Sequence, residues 1–250
     1  YETVLVKILL NLLKNMKNPV FMDIGSHMGY YANLTTKFLD DKFKVYAIES
    51  NPNYCKYIET SKIKNKFNNL EIINETLSDK SENFFIKNET ALNKSLGNDK
   101  DSIKIQSDTL DNILHKKNIS PNILKIDVHG VEGKVLLGSK NILEKSVKYI
   151  LLELHSNEYI SKYSDNMNRR DIILLLIDSY FDCYLISSHR DFENSDYIKK
   201  KYDDNLKFEK IKITKDNFEL IFFNRENNAK SDELIFCCKK NDNLANLEIF

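Results

Sequence analysis

A chain of 250 residues can bury one large core or two small ones, and 42% hydrophobic with 30% charged residues excludes disordered and collagen-like classes. Lys+Arg equals Asp+Glu at 37 each, so no net field draws nucleic acid or an anionic membrane to the surface. The longest apolar runs, such as IILLLI at 172–177, fall far short of the roughly 20 residues a spanning helix needs, and no membrane span is expected. The four cysteines, Cys55, Cys183, Cys237 and Cys238, show neither CxxC nor metal-ligand spacing. They read as buried, reduced thiols of a cytoplasmic protein.

In chain order, YETVLVKILLNLLKNM at 1–16 has apolar residues at helical spacing, which predicts an amphipathic N-terminal helix within residues 1–17, laid on a sheet. Strands and helices then alternate. PVFMDIG is strand one, followed by a tight loop and a helix beginning near Tyr30; FKVYAIES is strand two. NPNYCKYIETSKIKN is a helix that Asn51 caps and Pro52 starts. NLEIINETLSD reads as strand three, ENFFIKNETALNKS and DSIKIQ as short β pieces, and DTLDNILHKKN as a short helix capped by Asp108 or Thr109. NILKIDVHG is strand four, KYILLELHS strand five, RRDIILLLIDSYF a helix and CYLISS strand six. Residues 190–230, with KKK at 199–201 beside DD at 203–204, read as an irregular solvated insertion before a last strand, DELIFCCKK at 232–240. Without an internal repeat or a low-complexity linker, a single domain over 1–250 is expected.

Alternating β and α elements with right-handed crossovers place ligands at the carboxyl ends of parallel strands. The loop in VFMDIGSHMGYYA has glycines at 25 and 29, which let backbone approach a ligand. It is not a phosphate loop, because GxxxxGK[ST] and its lysine are missing, and His27 stands where GxGxxG has its middle glycine. Asp23 ends strand one beside this loop, which suits a nucleoside carrying an ammonium group. Glu49 ends strand two, 26 residues after Asp23, where a carboxylate accepts both hydroxyls of a ribose. On strand four Lys125 and Asp127 alternate onto one face, and His129 and Glu132 follow in the next turn; Glu153 and His155 share a face at the end of strand five. Five ionisable groups (Asp127, His129, Glu132, Glu153 and His155) therefore converge on one rim. A helix's first turn favours Glu132 on dipole grounds alone.

The blocks YETVLVKILLNLLK, FMDIGSHMGYYA, VYAIESNP, TLSD, TLDNIL, ILKIDVHGVEGKVLLGSKNIL and ILLELH, in that order over residues 1 to about 156, resemble the FkbM family of S-adenosylmethionine-dependent methyltransferases. The resemblance implies a Rossmann-like class I methyltransferase α/β fold: a seven-stranded, mostly parallel sheet with an antiparallel last strand and helices on both faces. It implies O-methylation of a sugar, glycan or natural-product hydroxyl, with S-adenosylhomocysteine as the cofactor product. Carried over by position, Asp23, Gly25, Ser26 and Gly29 take the methionine end of the cofactor, Glu49 and Ser50 the ribose, Ser78 and Asp79 the adenine border, with Asp127 lining the same site. The family usually has a small residue and Asn where Ser26 and His27 stand, and Glu where His129 stands.

Methyl transfer needs in-line alignment of acceptor and sulfonium carbon, and a place for the hydroxyl proton to go. His155, Asp127 and His129 are the candidates for that base. Lys125 either holds Asp127 ionised or donates to the acceptor, unless it serves only a structural salt bridge. A divalent metal held by Asp127, Glu153 and the histidines is a less favoured variant, since the sequence shows no fixed ligand spacing. Two other classes compete: a nicotinamide-dependent reductase, which would want GxGxxG and a Tyr-x-x-x-Lys pair found here only as YIKKK at 197–201, and an inactive scaffold retained for binding. Acceptor specificity is expected in the helix at 1–16, the loop at 87–103 and the insertion at 190–230. A small-molecule or glycan acceptor is the expected partner, and oligomeric state is not readable.

Overall fold

The computed structural model describes residues 3–41, 43–87, 102–164, 167–179, 181–186, 210–226, 232–240 and 242. Strands β1 (Val20–Ile24), β2 (Lys44–Ile48), β3 (Leu70–Ile73), β7 (Ile123–Ile126) and β8 (Tyr149–Leu154) run parallel in the spatial order β3-β2-β1-β7-β8. Beyond β8 lies β11 (Glu233–Lys239), antiparallel to both β8 and β9 (Phe181–Ile186) and wedged between them. The mostly parallel sheet with an antiparallel final strand is the Rossmann-like arrangement expected.

Among the described residues the main sheet has eight strands where seven were expected. The additional strand, β10 (Lys210–Ile213), pairs antiparallel with β9 at the sheet edge, and a helix, α9 (Phe218–Glu226), follows it. Both lie in the stretch expected to be irregular. Ile213, Phe218 and Phe222 are buried, so this segment has an apolar set of its own to anchor it against the main core despite its charge. Residues 190–209, with KKK at 199–201 and YIKKK at 197–201, lie outside the described residues.

The expected third strand is two strands. Asn74 donates its side-chain amide to the carbonyls of Glu49 and Ser50, and Glu75 N–H turns back to the carbonyl of Ile73. That ends β3, and β4 (Thr76–Leu77) joins a separate three-stranded sheet, β4-β6-β5, with β5 (Asn83–Lys87) and β6 (Ser102–Asp108).

Alternation on the strands sorts side chains into two cores. Phe21, Val45, Leu151, Leu234 and Phe236 face α1 (Thr3–Asn15), whose Leu5, Ile8, Leu9 and Leu12 are fully buried, together with Ala32 of α2 (Tyr30–Phe38) and Ile58 of α3 (Pro52–Asn65). Met22, Ile48, Leu124, Ile126 and Leu152 face the opposite layer: α4 (Leu110–Lys117), α5 (Glu132–Leu137), α6 (Lys140–Lys145) and α8 (Arg169–Asp178). The N-terminal helix therefore lies on the sheet through one apolar face. Asn51 caps α3, accepting from Asn53 N–H with Pro52 at the first position, and of the two candidates for α4 the cap is Thr109. One short helix, α7 (Asn157–Tyr163), was not expected; Ser156 caps it directly after β8. All four cysteines are free and buried, as their spacing suggested. Among the described residues no helix is long and apolar enough to cross a membrane.

Candidate active site

The turn from β1 into α2 is held by backbone to the end of β2. Gly25 and Ser26 both donate their N–H to the carbonyl of Ile48, at 3.0 and 3.1 Å, and Ser26 Oγ donates to Asp23 O at 2.7 Å. Gly25 has φ +76°, and a Cβ there would stand 1.9 Å from the carbonyl oxygen of Asp127, so the turn lies directly on the end of β7. Gly29, at φ +80°, starts α2 against Ile58 of α3, where a Cβ would meet Ile58 Cγ1 at 2.8 Å. His27 adopts φ 51° and packs edge-on to Tyr54 at 4.2 Å.

The two acids of this turn have different surroundings. Asp23 is fully buried; Oδ2 accepts from Ala32 N–H at 3.2 Å, Oδ1 accepts no hydrogen bond, and Lys125 Nζ lies 3.8 Å from it. Burial pushes the Asp23 carboxyl up, with Lys125 opposing. Glu49 accepts from His27 N–H through Oε2 and from Asn51 N–H through Oε1, both at 2.8 Å, and burial raises its carboxyl against those bonds. Ser50 Oγ lies 3.5 Å from Glu49 Oε1, at the limit of a hydrogen bond. Ser78 is buried, with Oγ within reach of Asp79 Oδ1 (3.1 Å) and Glu82 Oε1 (3.3 Å), and its N–H is bonded to Asp108 O. That ties Ser78 and Asp79 to the small sheet beside the ends of the parallel strands.

The rim expected from the acids and histidines of β7 and β8 assembles around one point. Lys125 Nζ bonds Asp127 Oδ2 at 3.1 Å, as their alternation on one face requires. Burial opposes an ionised Asp127, but Lys125 and the neighbouring histidines outweigh it and hold the carboxyl below its usual range. Asp127 Oδ1 is shielded from solvent and accepts no hydrogen bond. His155, 2% exposed, sets Nδ1 2.8 Å from Glu132 Oε1 and Nε2 2.9 Å from His129 Nδ1. Gly130 N–H steadies the same Glu132 oxygen at 3.0 Å. Asp127 Oδ1 and Asp232 Oδ2 stand 3.8 and 4.0 Å from His155 Nε2.

Burial disfavours a charged His155, yet Glu132, Asp232 and Asp127 outweigh it and push the ring up to about 9. His129, at φ 51°, shifts the other way through desolvation of its inner edge. His155 was one of three expected bases. In this arrangement both of its nitrogens are engaged, Nδ1 with Glu132 and Nε2 with His129.

Two residues of this neighbourhood escaped the sequence reading. Arg169, 2% exposed, donates from Nε to His155 O at 2.7 Å and from Nη2 to Leu154 O at 3.4 Å, fixing the end of β8. Asp232 reaches His155 only because β11 inserts beside β8. An arginine in the first turn of a helix otherwise rich in apolar residues was the one available signal.

A glycine-lined turn flanked by carboxylates lies at the ends of β1 and β2, and the switch point of a Rossmann-like sheet is where such folds bind ligands. Residues 23–192 match the methyltransferase FkbM domain, and the chain belongs to that family. No curated protein matches it. Among solved structures it is similar to an FkbM methyltransferase from Methylobacillus flagellatus KT, with 14% identity and a TM-score of 0.45 over 65% of this chain and 36% of that one, so this chain spans about a third of that protein. An O-methyltransferase from Bacillus cereus in complex with SAH gives 11% identity and a TM-score of 0.49, covering 94% of this chain and 80% of that one. The O-methyltransferase TomG of Streptomyces achromogenes, in complex with SAM, gives 9% identity and 0.49 over 94% and 79%.

Proposed function

We propose that this methyltransferase uses S-adenosylmethionine to methylate a hydroxyl of a sugar, glycan or natural product. The observation that carries the reading is the contact between Gly25 and Asp127: it joins the carboxylate-flanked turn of β1 and β2 to the Asp127–His129–His155 cluster, so that a cofactor in the one delivers its methyl group to an acceptor beside the other.

In this reading the methionine end lies along Asp23, Gly25, Ser26 and Gly29, and Asp127 closes that end. Glu49 and Ser50 take the ribose hydroxyls; each Glu49 oxygen accepts one backbone N–H and keeps a lone pair for a further donor. Ser78 and Asp79 border the base. The acceptor oxygen forms its bond to the methyl carbon as the carbon–sulfur bond breaks, the electron pair staying on sulfur and S-adenosylhomocysteine leaving. The hydroxyl proton passes to the face presented by Asp127 and His129. Lys125 keeps Asp127 ionised, Glu132 and Arg169 position His155, and the general-base contribution is on the order of 10² to 10⁴ in rate.

Calorimetric titration with S-adenosylhomocysteine alongside NADH tests the reading. Saturable binding of S-adenosylhomocysteine alone is expected, followed by methyl transfer from labelled S-adenosylmethionine to members of a panel of hydroxylated acceptors. Binding of NADH alone, or of neither, refutes it.

A further inference from the structure

We infer that Asp127, His129 and His155 hold a divalent transition-metal ion at the acceptor side of the proposed methyl-transfer site. The inference rests on that reading for the ion's role, but not for its existence.

The donor atoms come from two strand ends that carry no ligand spacing in sequence. His129 Nδ1 and His155 Nε2 face each other at 2.9 Å, and Asp127 Oδ1 lies 3.8 Å from His155 Nε2. All three lie within 4.8 Å of one another. Ligand atoms about 2.1 Å from a common centre and separated by these two distances subtend about 90° and about 130° there, on either side of the tetrahedral value. An ion would replace the single proton that now bridges the two imidazoles.

Three further features favour an ion over a plain hydrogen-bond cluster. His155 already has the support that metal-bound histidines have: its other nitrogen is bonded to a buried carboxylate, Glu132, itself steadied by Gly130 N–H, which fixes the tautomer that presents Nε2. Asp127 Oδ1 is shielded from solvent and takes no hydrogen bond, a costly state for a carboxylate oxygen. Finally, carboxylates gather around His155 Nε2: Asp127 Oδ1 and Asp232 Oδ2 stand 3.8 and 4.0 Å from it, and Glu153 lies in the same group. A second donor set, Glu153, His155 and Asp232, is centred on the same Nε2.

Two imidazoles with one carboxylate suit Zn²⁺, Mn²⁺ or Fe²⁺ better than Mg²⁺ or Ca²⁺, which prefer all-oxygen shells. An ion here lowers the pKa of an acceptor hydroxyl bound to it, which is the activation that O-methylation lacks from the cofactor alone. His129 itself holds a left-handed backbone, φ 51°, of the kind concentrated at functional sites, with its ring against His155.

The test uses the whole chain, stripped with a chelator and titrated calorimetrically with Zn²⁺ and Mn²⁺, with elemental analysis after desalting. One equivalent of Zn²⁺ or Mn²⁺ per chain is expected. His129→Gly, which suits φ 51° without strain, and Asp127→Asn should each weaken uptake at least tenfold, and Glu132→Gln about 10- to 100-fold. Near-UV circular dichroism and S-adenosylhomocysteine titration of His129→Gly report whether that variant is folded. Absence of stoichiometric uptake by the parent overturns the inference, and so does stoichiometric uptake unchanged in both His129→Gly and Asp127→Asn. Loss of the metal result with S-adenosylhomocysteine still bound leaves the methyltransferase reading standing. Failure to bind S-adenosylhomocysteine removes that reading whether or not an ion binds.

Discussion

The close approach of Gly25 to Asp127 gives the sharpest test of how the site is built. In Gly25→Ala the new Cβ would sit 1.9 Å from the Asp127 carbonyl oxygen, whereas real Cβ contacts essentially never fall under 3.0 Å, so two backbone segments must part by about 1.1 Å. Neither neighbour is a flexible side-chain tip. The left-handed φ of +76° costs about 1–2 kcal/mol for alanine, and the forced displacement about 1–3 kcal/mol more. At about 2–4 °C per kcal/mol for a chain of this size, the melting temperature should fall by about 10 °C. Because the displaced atoms lie between the cofactor turn and Asp127, S-adenosylhomocysteine binding should also fall, by tenfold or more. The control is Gly133→Ala: its Cβ would meet Met167 Sδ at 2.6 Å, also under 3.0 Å but against a thioether that can swing away. Scanning calorimetry and ligand titration on the pair decide the matter. A Gly25→Ala protein that melts within about 2 °C of the parent and binds the ligand equally would show that the approach of these two strand ends does not define the site.

Lys125→Met leaves Asp23 and Asp127 without their shared cation and should destabilise the fold by about 3–5 kcal/mol, read from denaturant unfolding. Glu49→Gln removes the negative charge but retains an acceptor for one backbone N–H, so S-adenosylhomocysteine binding should weaken more than tenfold while the melting temperature moves little; equal binding would place the ribose elsewhere. Burial would raise the Asp108 carboxyl, but bonds from Lys116, Asn112, Thr109 N–H and Ser81 outweigh it and hold it well below the usual range. Its stabilising contribution is therefore present above the unfolded-state value of about 3.9 and is lost as pH falls below it, so Asp108→Asn should flatten the acid limb of the stability curve. Burial pushes the Cys55 thiol up to about 11 and Cys238 up to about 12, so the native chain should react with a thiol reagent only on unfolding.

Much of the fold was legible because local signals and long-range placement agreed. Apolar runs broken by acids and glycines marked β1, β2, β7 and β8, and Asn51 with Pro52 marked α3. The periodicity in Thr3–Asn15 implied a helix with one buried face, and six of its side chains are buried. The failures have a common physical cause. KIKI at 210–213 is too short, and too charged around it, to declare itself; it becomes β10 only because β9 offers an open edge. The break between β3 and β4 depends on a side-chain bond from Asn74 to residues about 25 positions earlier. In the site, spacing marked Asp127, His129, Glu132 and His155, but not their bonding. That Glu132 holds His155 rather than merely capping a helix, and that Arg169 and Asp232 join them, follows from tertiary contacts over 14 to 77 positions that no window contains.

The insertion of β11 between β8 and β9 also dictates an order of assembly. During synthesis the parallel strands β3, β2, β1, β7 and β8 can pair with one another once residue 154 is made, and β9 soon follows. Neither β8 nor β9 has a neighbour on its facing edge until residues 233–239 appear. Two open, apolar strand edges must wait through almost fifty residues of nascent chain, exposed to mispairing and to chaperones. The same late strand brings Asp232 to His155. A half-made chain therefore holds the glycine turn between β1 and α2 but lacks Asp232 beside His155 until the sheet closes.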